Sequence, residues 1–177
     1  MTDEDLMMAV SRGDLHAFGQ LVLRHQATAW NAAYRFFGQR ATAEDIAQEA
    51  FLRILDAAPR YRPSAGFKTY LLHVVTHLCL DHARRKQPVY QPTQPDAPAD
   101  LPSPADRLIA DEREQAVRAA LRGLPDAQRM AAILRYYEGL SCRQIAAAME
   151  TTEKAVERLL ARARAALAKA LDRFVEP

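Results

Sequence analysis

Glycine is scarce in this chain, 6 among 177 residues, and cysteine scarcer still at 2. Few glycines beside abundant alanine, leucine, arginine and glutamate lean the composition strongly towards helix. Cys79 and Cys142 lie far apart and in no CxxC pattern. That argues against a disulfide scaffold or a structural zinc site and fits a reducing cytoplasm. No stretch approaches the roughly 18 to 20 uninterrupted apolar residues of a membrane span. The start, Met1-Thr2-Asp3-Glu4-Asp5, is acidic with no apolar run behind it, so no secretory signal is expected. Charge of one sign is lacking too, since the net is only +2. A nucleic-acid surface must therefore come from the placement of cations and not from their total.

Proline, by contrast, is present and concentrated. Of 10 prolines, Pro88, Pro92, Pro95, Pro98, Pro102 and Pro104 fall between Gln87 and Pro104, where Val89, Tyr90 and Leu101 are the bulky apolar residues. Proline lacks a backbone donor and disfavours helix in the residue before it, so this stretch reads as an extended, semi-rigid linker. The flanks are helix-patterned with few breakers. The expected fold is all-α, with two small helical domains at 1–86 and 105–177 joined by the linker 87–104.

In the first domain Asp3 and Asp14 read as N-caps, and Gly38 closes a long helix whose apolar positions include Leu15, Phe18, Leu21, Val22, Phe36 and Phe37. Thr42 reads as the cap of the next helix, with the apolar stripe Ile46, Ala50, Phe51, Ile54 and Leu55. Pro59 and Pro63 bracket a loop. A fourth helix is expected from about Gly66 to Lys86. The second domain begins near Ala105 with Leu108, Ile109, Val117, Leu121 and Leu124, then Pro125 stops one helix and starts the next, which Gly139 ends.

The sharpest local signal is Ser141-Cys142-Arg143-Gln144, a capping box opening a short helix with Ile145, Ala146 and Met149. Glu150 and Thr151 form a tight turn, Thr152 caps again, and a longer helix continues through Val156, Leu159, Leu160, Ala163 and Leu167. Small residues at Ala146 and Ala147 allow a close crossing. This is a helix-turn-helix over Ser141 to Lys169, in which the second helix enters the major groove by its first turns. Its expected outer face is Glu153, Lys154, Glu157, Arg158, Ala161, Arg162 and Arg164. Arginine there reads guanine edges or holds phosphate, while Glu157 is repelled by phosphate but accepts from cytosine.

Taken whole, the chain resembles the ECF (extracytoplasmic-function) group of bacterial RNA polymerase sigma factors. In the first domain the resemblance rests on GDLHAFGQLVLRH (13–25), AEDIAQEAFLRIL (43–55) and FKTYLLHVVTHLCLDHARRK (67–86). In the second it rests on LRGLPDAQRMAAILRYYEGLSCRQIAAAM (121–149) and KAVERLLARARAAL (154–167). It implies a sigma domain 2 at 1–86 and a sigma domain 4 at 105–177. By resemblance, Asp45, Gln48, Glu49, Phe51, Leu52 and Arg53 dock on the clamp helices of the polymerase's largest subunit. Phe67, Lys68, Tyr70, His77, Arg84, Arg85 and Lys86 serve the promoter −10 element, where aromatics stack on unpaired bases and cations hold the displaced strand. Arg143, Thr152, Lys154, Glu157, Arg158, Arg162 and Arg164 serve the −35 element, and the second domain also meets the flap of the second-largest subunit. The linker would thread towards the polymerase active site, with Asp96 and Asp100 adding acidity. Family members are usually held by an anti-sigma factor, so the implied partners are core polymerase, promoter DNA and an anti-sigma factor, in the bacterial cytoplasm. Tyr70 stands where the family usually has tryptophan, His77 where it often has asparagine, and Glu157 where many members are basic or small, so base preferences do not carry over.

An enzyme is the contrasting reading. His73, His77 and Asp81 are spaced i, i+4, i+8 on one helix face, and two such histidines can ligate a metal. No third or fourth ligand is evident, and there is no HExxH, glycine-rich phosphate loop or nucleophile motif. Ordinary helix histidines, with no metal and no cofactor, account for them better. Two other readings remain beside the sigma factor: a helix-turn-helix regulator that acts without polymerase, and a sigma mimic that titrates an anti-sigma factor. The first leaves the N-terminal domain unexplained. The second has no need of the basic ends.

Overall fold

The computed structural model describes residues 1–62, 65–85 and 104–172, with the side chains of 104–111 left aside. Within these residues all regular structure is helical: α1 (Asp3–Val10), α2 (Leu15–Phe37), α3 (Arg40–Ala57), a single 3-10 turn (Ala58–Arg60), α4 (Phe67–Arg85), α5 (Pro104–Arg122), α6 (Asp126–Tyr136), α7 (Cys142–Ala148) and α8 (Glu153–Leu171). The linker with Asp96 and Asp100, the side chains of Leu108 and Ile109, and Pro63 and Lys86 lie outside the described residues.

Two caps differ from their sequence reading. Thr2, not Asp3, caps α1: its hydroxyl accepts from the Asp5 amide at 3.1 Å and the Asp5 carboxylate accepts from the Thr2 amide at 2.9 Å. The capping box satisfies two orphan donors where a lone aspartate one position later would satisfy one. Asp3 is thereby released to reach α2, where it meets Arg24 at 2.8 Å and His25 at 2.6 Å. Partial burial pushes the Asp3 carboxyl up, but the hydrogen bonds from Arg24 and His25 outweigh it and hold it below the ordinary carboxylate range. A lowered folded pKa contributes stability that is present above the ordinary carboxylate value and is lost as pH falls through the lowered one. Asp3→Asn should therefore cost about 1 kcal/mol near neutral pH. Urea unfolding should show the gap to wild type closing below about pH 4; a pH-independent gap would mean the carboxylate charge is irrelevant.

Asp14 caps α2 as read, accepting from the amides of His16 at 2.9 Å and Ala17 at 3.0 Å. Leu15, placed on the apolar stripe by periodicity, is 67% exposed because it sits in the first turn beyond the core's edge. Gly38 ends the helix with φ +71, and a Cβ there would meet the Arg122 guanidinium at 2.8 Å. Glycine serves twice here, for its left-handed backbone and for a close approach by the other half of the chain. This abrupt bend starts α3 at once, at Arg40. Thr42 is thus inside the helix, buried, and its hydroxyl donates to Gln39 Oε1 at 3.0 Å instead of capping.

Pro125 and Gly139 (φ +73) punctuate α6 as expected. The two halves do not stand apart. Helix α4 packs on α6 and α7, and α2 packs on α5 and α6. One continuous core runs from Leu6, Leu21 and Phe36 through Leu71 and Val75 to Met130, Leu134, Ile145 and Val156. This is why α4 is apolar on more than one side: α2 and α3 cover one flank, and α6 and α7 another.

Candidate nucleic-acid interface

The helix-turn-helix is built as its capping signals predict. Ser141 accepts from the Gln144 amide at 3.2 Å, and Gln144 Oε1 accepts from the Ser141 amide at 2.9 Å. Thr152 caps α8 through the Ala155 amide at 3.1 Å. Between them Glu150 adopts φ +50, the one non-glycine residue with positive φ among the described residues. Ala146 and Ala148 are the buried small residues at the crossing, whereas Ala147 is exposed. The reading of Ala147 was one position off, because a short helix presents 145, 146 and 148 to its partner.

Val156, Leu160 and Ala163 bury the inner side of α8, so Glu153, Lys154, Glu157, Arg158, Ala161, Arg162 and Arg164 all face outward. Arg143 of α7 and Thr152 are exposed beside them. Lys154, Arg158 and Arg162 recur every four residues and so form a row about 12 Å long on one side of the helix. No ion pair among the described residues ties down these three or Arg164. Cations held apart without carboxylate partners suit a polyanion, and Glu157 sits within the row as a local repulsion.

The other expected DNA helix, α4, is differently placed. Phe67 is 1% exposed and packs on the His25 ring at 5.0 Å, so it cannot stack on a base without unpacking the core. Its place in the −10 set, given by resemblance, is corrected: α1 and α2 close over it. Tyr70 is half-buried against Tyr61 (5.4 Å), and burial raises its phenol pKa. Lys68 is engaged across the two halves, its Nζ 3.2 Å from the Glu138 carboxylate and donating to the Glu138 carbonyl at 3.2 Å. His77 faces Glu150 at 3.5 Å. Arg84 and Arg85 are exposed, with Asp81 3.4 Å from Arg84.

The expected docking helix divides similarly. Asp45, Gln48, Glu49, Leu52 and Arg53 are exposed on α3, with Glu49 and Arg53 paired at 2.8 Å. Phe51 is largely buried, edge-on to Phe18 at 6.3 Å, and reaches this face only as part of the lining of the groove beside it. Beside the face runs an open groove of about 660 Å³ whose lining includes Phe18, Val22, Gln26, Trp30 and Leu52. Leu52, 49% exposed, is its accessible apolar edge. The 22/26/30 spacing on α2 carried that signal, but of these positions only Val22 was singled out, as part of the apolar stripe.

Sequence reasoning also missed the residues that hold the halves together. Glu138, with its side chain 8% exposed, lies 3.2 Å from Lys68 and 3.6 Å from Arg35. Arg129 donates to the carbonyls of Leu121, Arg122 and Leu124 at the end of α5 and to Phe36 of α2 at 3.1 Å. It thus satisfies orphan helix-end acceptors of both halves at once. Gln144 Nε2 reaches Thr69 Oγ1 at 3.4 Å. Burial, with His77 alongside, holds His73 below the ordinary imidazole value, although Glu150 and the carbonyls of Ala147 and Ala148 pull the other way.

Residues 21–89 match the family model for Sigma-70 region 2, and residues 114–167 match that for Sigma-70, region 4. The chain is similar to the RNA polymerase sigma-H factor of Pseudomonas aeruginosa, 34% identical over 181 residues that cover 96% of this chain and 94% of the relative. It is also similar to the ECF RNA polymerase sigma factor SigW of Bacillus subtilis, 30% identical over 173 residues, 92% of each chain. Among solved structures it resembles CnrH in complex with the cytosolic domain of CnrY, with TM-score 0.73, 27% identity and 97% of both chains covered.

Proposed function

The chain belongs to the ECF group of RNA polymerase sigma factors, and from that premise we propose how its two helical halves divide the work. The face of α3 with Asp45, Gln48, Glu49, Leu52 and Arg53 docks on the clamp helices of the largest polymerase subunit. Carboxylates steer a basic partner, and Leu52 with the groove beside it receives an apolar anchor. The row Lys154, Arg158 and Arg162 on α8, with Arg143 and Arg164 at its edges, grips the −35 element, and this half also meets the flap of the second-largest subunit. Helix α4, through Tyr70, Lys68, His77 and the basic end at Arg84 and Arg85, holds the opened −10 element. The proposed units are 1–86 and 105–177, with 87–104 as the tether between them.

One observation carries this reading: the α3 face and the α8 row are open while the inner side of α4 is covered by α6 and α7. Polymerase and duplex DNA can therefore reach the closed chain, whereas a single strand meets a Lys68 already engaged by Glu138 and a His77 partly covered beside Glu150, until the halves part. Residues 86–103 allow the separation, since that length of chain at full extension spans about 60 Å. A partner that seats on the closed form keeps the factor inactive. CnrH, which shares this fold and is seen with the cytosolic domain of CnrY, supports a dedicated anti-sigma factor acting in the bacterial cytoplasm.

The test is run-off transcription with core polymerase over a genomic promoter library. Wild type should start transcripts at a restricted set of promoters, and silence on every promoter overturns the reading. Leu52→Glu should abolish capture by core polymerase while leaving duplex binding by the helix-turn-helix intact. A regulator acting without polymerase would be unaffected by that change.

A further inference from the structure

We propose that His73, His77 and Glu150 form a binding site for a divalent transition-metal ion of the Zn(II) class, and that the ion clamps the helix-turn-helix onto α4. The two histidines sit one turn apart on α4, with ring centroids 4.5 Å apart. The third donor, absent from the histidines' own neighbourhood in sequence, arrives from the other half of the chain. Glu150 Oε1 lies 3.5 Å from His77 Nε2, and one ligand atom from each of the three residues falls within 4.8 Å of the others. In a tetrahedral site with bonds of about 2.1 Å the donors stand about 3.4 Å apart. The His77–Glu150 edge already has that length. The remaining closure is small, and the Glu150 side chain, 68% exposed, is free to rotate into it.

Three further features point to a ligand. His77 Nε2 is enclosed and makes no hydrogen bond, so a ring nitrogen faces inward with the Glu150 carboxylate and the His73 ring beside it. The carbonyls of Ala147 and Ala148, next to Glu150 in the chain, act on His73 as well, so the imidazole and the third donor's turn are in direct contact. Glu150 itself occupies a left-handed turn position at φ +50, where glycine would sit without strain. The turn thereby sets the Glu150 side chain beside the two imidazoles. Two imidazoles and one carboxylate select zinc, nickel, cobalt or copper over magnesium or calcium, and leave a fourth position for water.

Because two donors belong to α4 and the third to the other half, only the closed form presents all three. An ion at a hundred times its Kd for that form therefore multiplies the closed-to-open ratio by about a hundred. Metal then occupies His77, keeps Lys68 engaged by Glu138 and opposes promoter opening. The site depends on the closed packing and not on the promoter reading.

The experiment uses the untagged, chelator-stripped full chain, titrated with Zn(II) against a chromophoric chelator and with Co(II) to record its visible bands. Wild type should bind one ion per chain with the Co(II) spectrum of a four-coordinate site. Glu150→Gln should weaken binding at least tenfold, while Cys142→Ser should bind as wild type does. Dyes on α2 and α8 should report that Zn(II) shifts wild type, but not the Glu150→Gln variant, towards the short inter-dye distance. Absence of binding, equal affinity in the Glu150→Gln variant, or loss of binding in Cys142→Ser overturns the site. Binding without a change in the inter-dye distance overturns the clamp. Both readouts are independent of transcription, so failure of the promoter assay leaves this result standing, and the converse holds.

Discussion

Glu138→Lys should open the molecule. In wild type the Glu138 carboxylate is 8% exposed and lies between Lys68 at 3.2 Å and Arg35 at 3.6 Å. Reversing its charge sets three cations around one sparsely hydrated point and removes the anion that neutralised two of them. Like charges forced together at an interface cost several kcal/mol. Lys68 and Arg35 are 45% and 31% exposed, so water screens part of this. A net cost of about 2–3 kcal/mol lowers the closed-to-open ratio roughly thirty- to 160-fold. Arg129 and the shared apolar core resist, but neither relieves the repulsion. Helicity by circular dichroism should be unchanged, because Glu138 follows the end of α6 and supports no helix. The inter-dye distance between α2 and α8 should lengthen, and affinity for a single-stranded −10 oligonucleotide should rise at least tenfold. Arg35→Glu in the same chain should restore part of the closed population by exchanging the charges. An unchanged distance in Glu138→Lys would mean that the apolar core alone holds the halves together.

The second large effect is expected on α8. Arg158→Ala with Arg162→Ala should weaken duplex −35 binding by a hundredfold or more. Each arginine engaged with a base edge is worth about 1–3 kcal/mol. Both are exposed and outside the core, so the fold should lose no more than about 0.5 kcal/mol at each site. The salt dependence separates the two kinds of contact. Loss of two phosphate contacts flattens the slope of log K against log salt by about 1.8 and weakens all sequences alike. Loss of base contacts leaves the slope and relaxes preference at particular positions. Glu157→Ala should act the other way, tightening binding to random duplex and blurring the base preference. Equal binding by the double variant and wild type, measured by anisotropy at matched salt, would remove α8 as the reading helix.

Much of this was legible because it is local. A capping box needs only Ser141 and Gln144, a left-handed stop needs only Gly38 or Gly139, and the apolar stripe of α8 needs only its own period. The outer face of α8 followed from that stripe and proved correct at every position named. Errors arose where a local rule had a stronger local rival, as when Thr2 with Asp5 displaced Asp3. They also arose where the chain turned faster than expected, as when Gly38 pulled Thr42 into α3. The degree of burial of Phe67 and Phe51 was not legible for a different reason. An amphipathic pattern marks them as apolar and cannot say whether a partner protein, a base or the chain's own α2 covers them.

By itself, then, the sequence determined eight helices, their ends to within a few residues, a helix-turn-helix with a basic outer row, and membership of a family through two blocks in order. Tertiary structure alone decided that the halves close on each other, that Glu138 pairs with Lys68 and Arg35, that Arg129 ties α5 to α2, and that Glu150 comes to rest beside His77. Periodicity records which side of a helix avoids water. It carries no information on contacts between polar groups far apart along the chain, since each of those groups would be equally content in water until the apolar core brings them together.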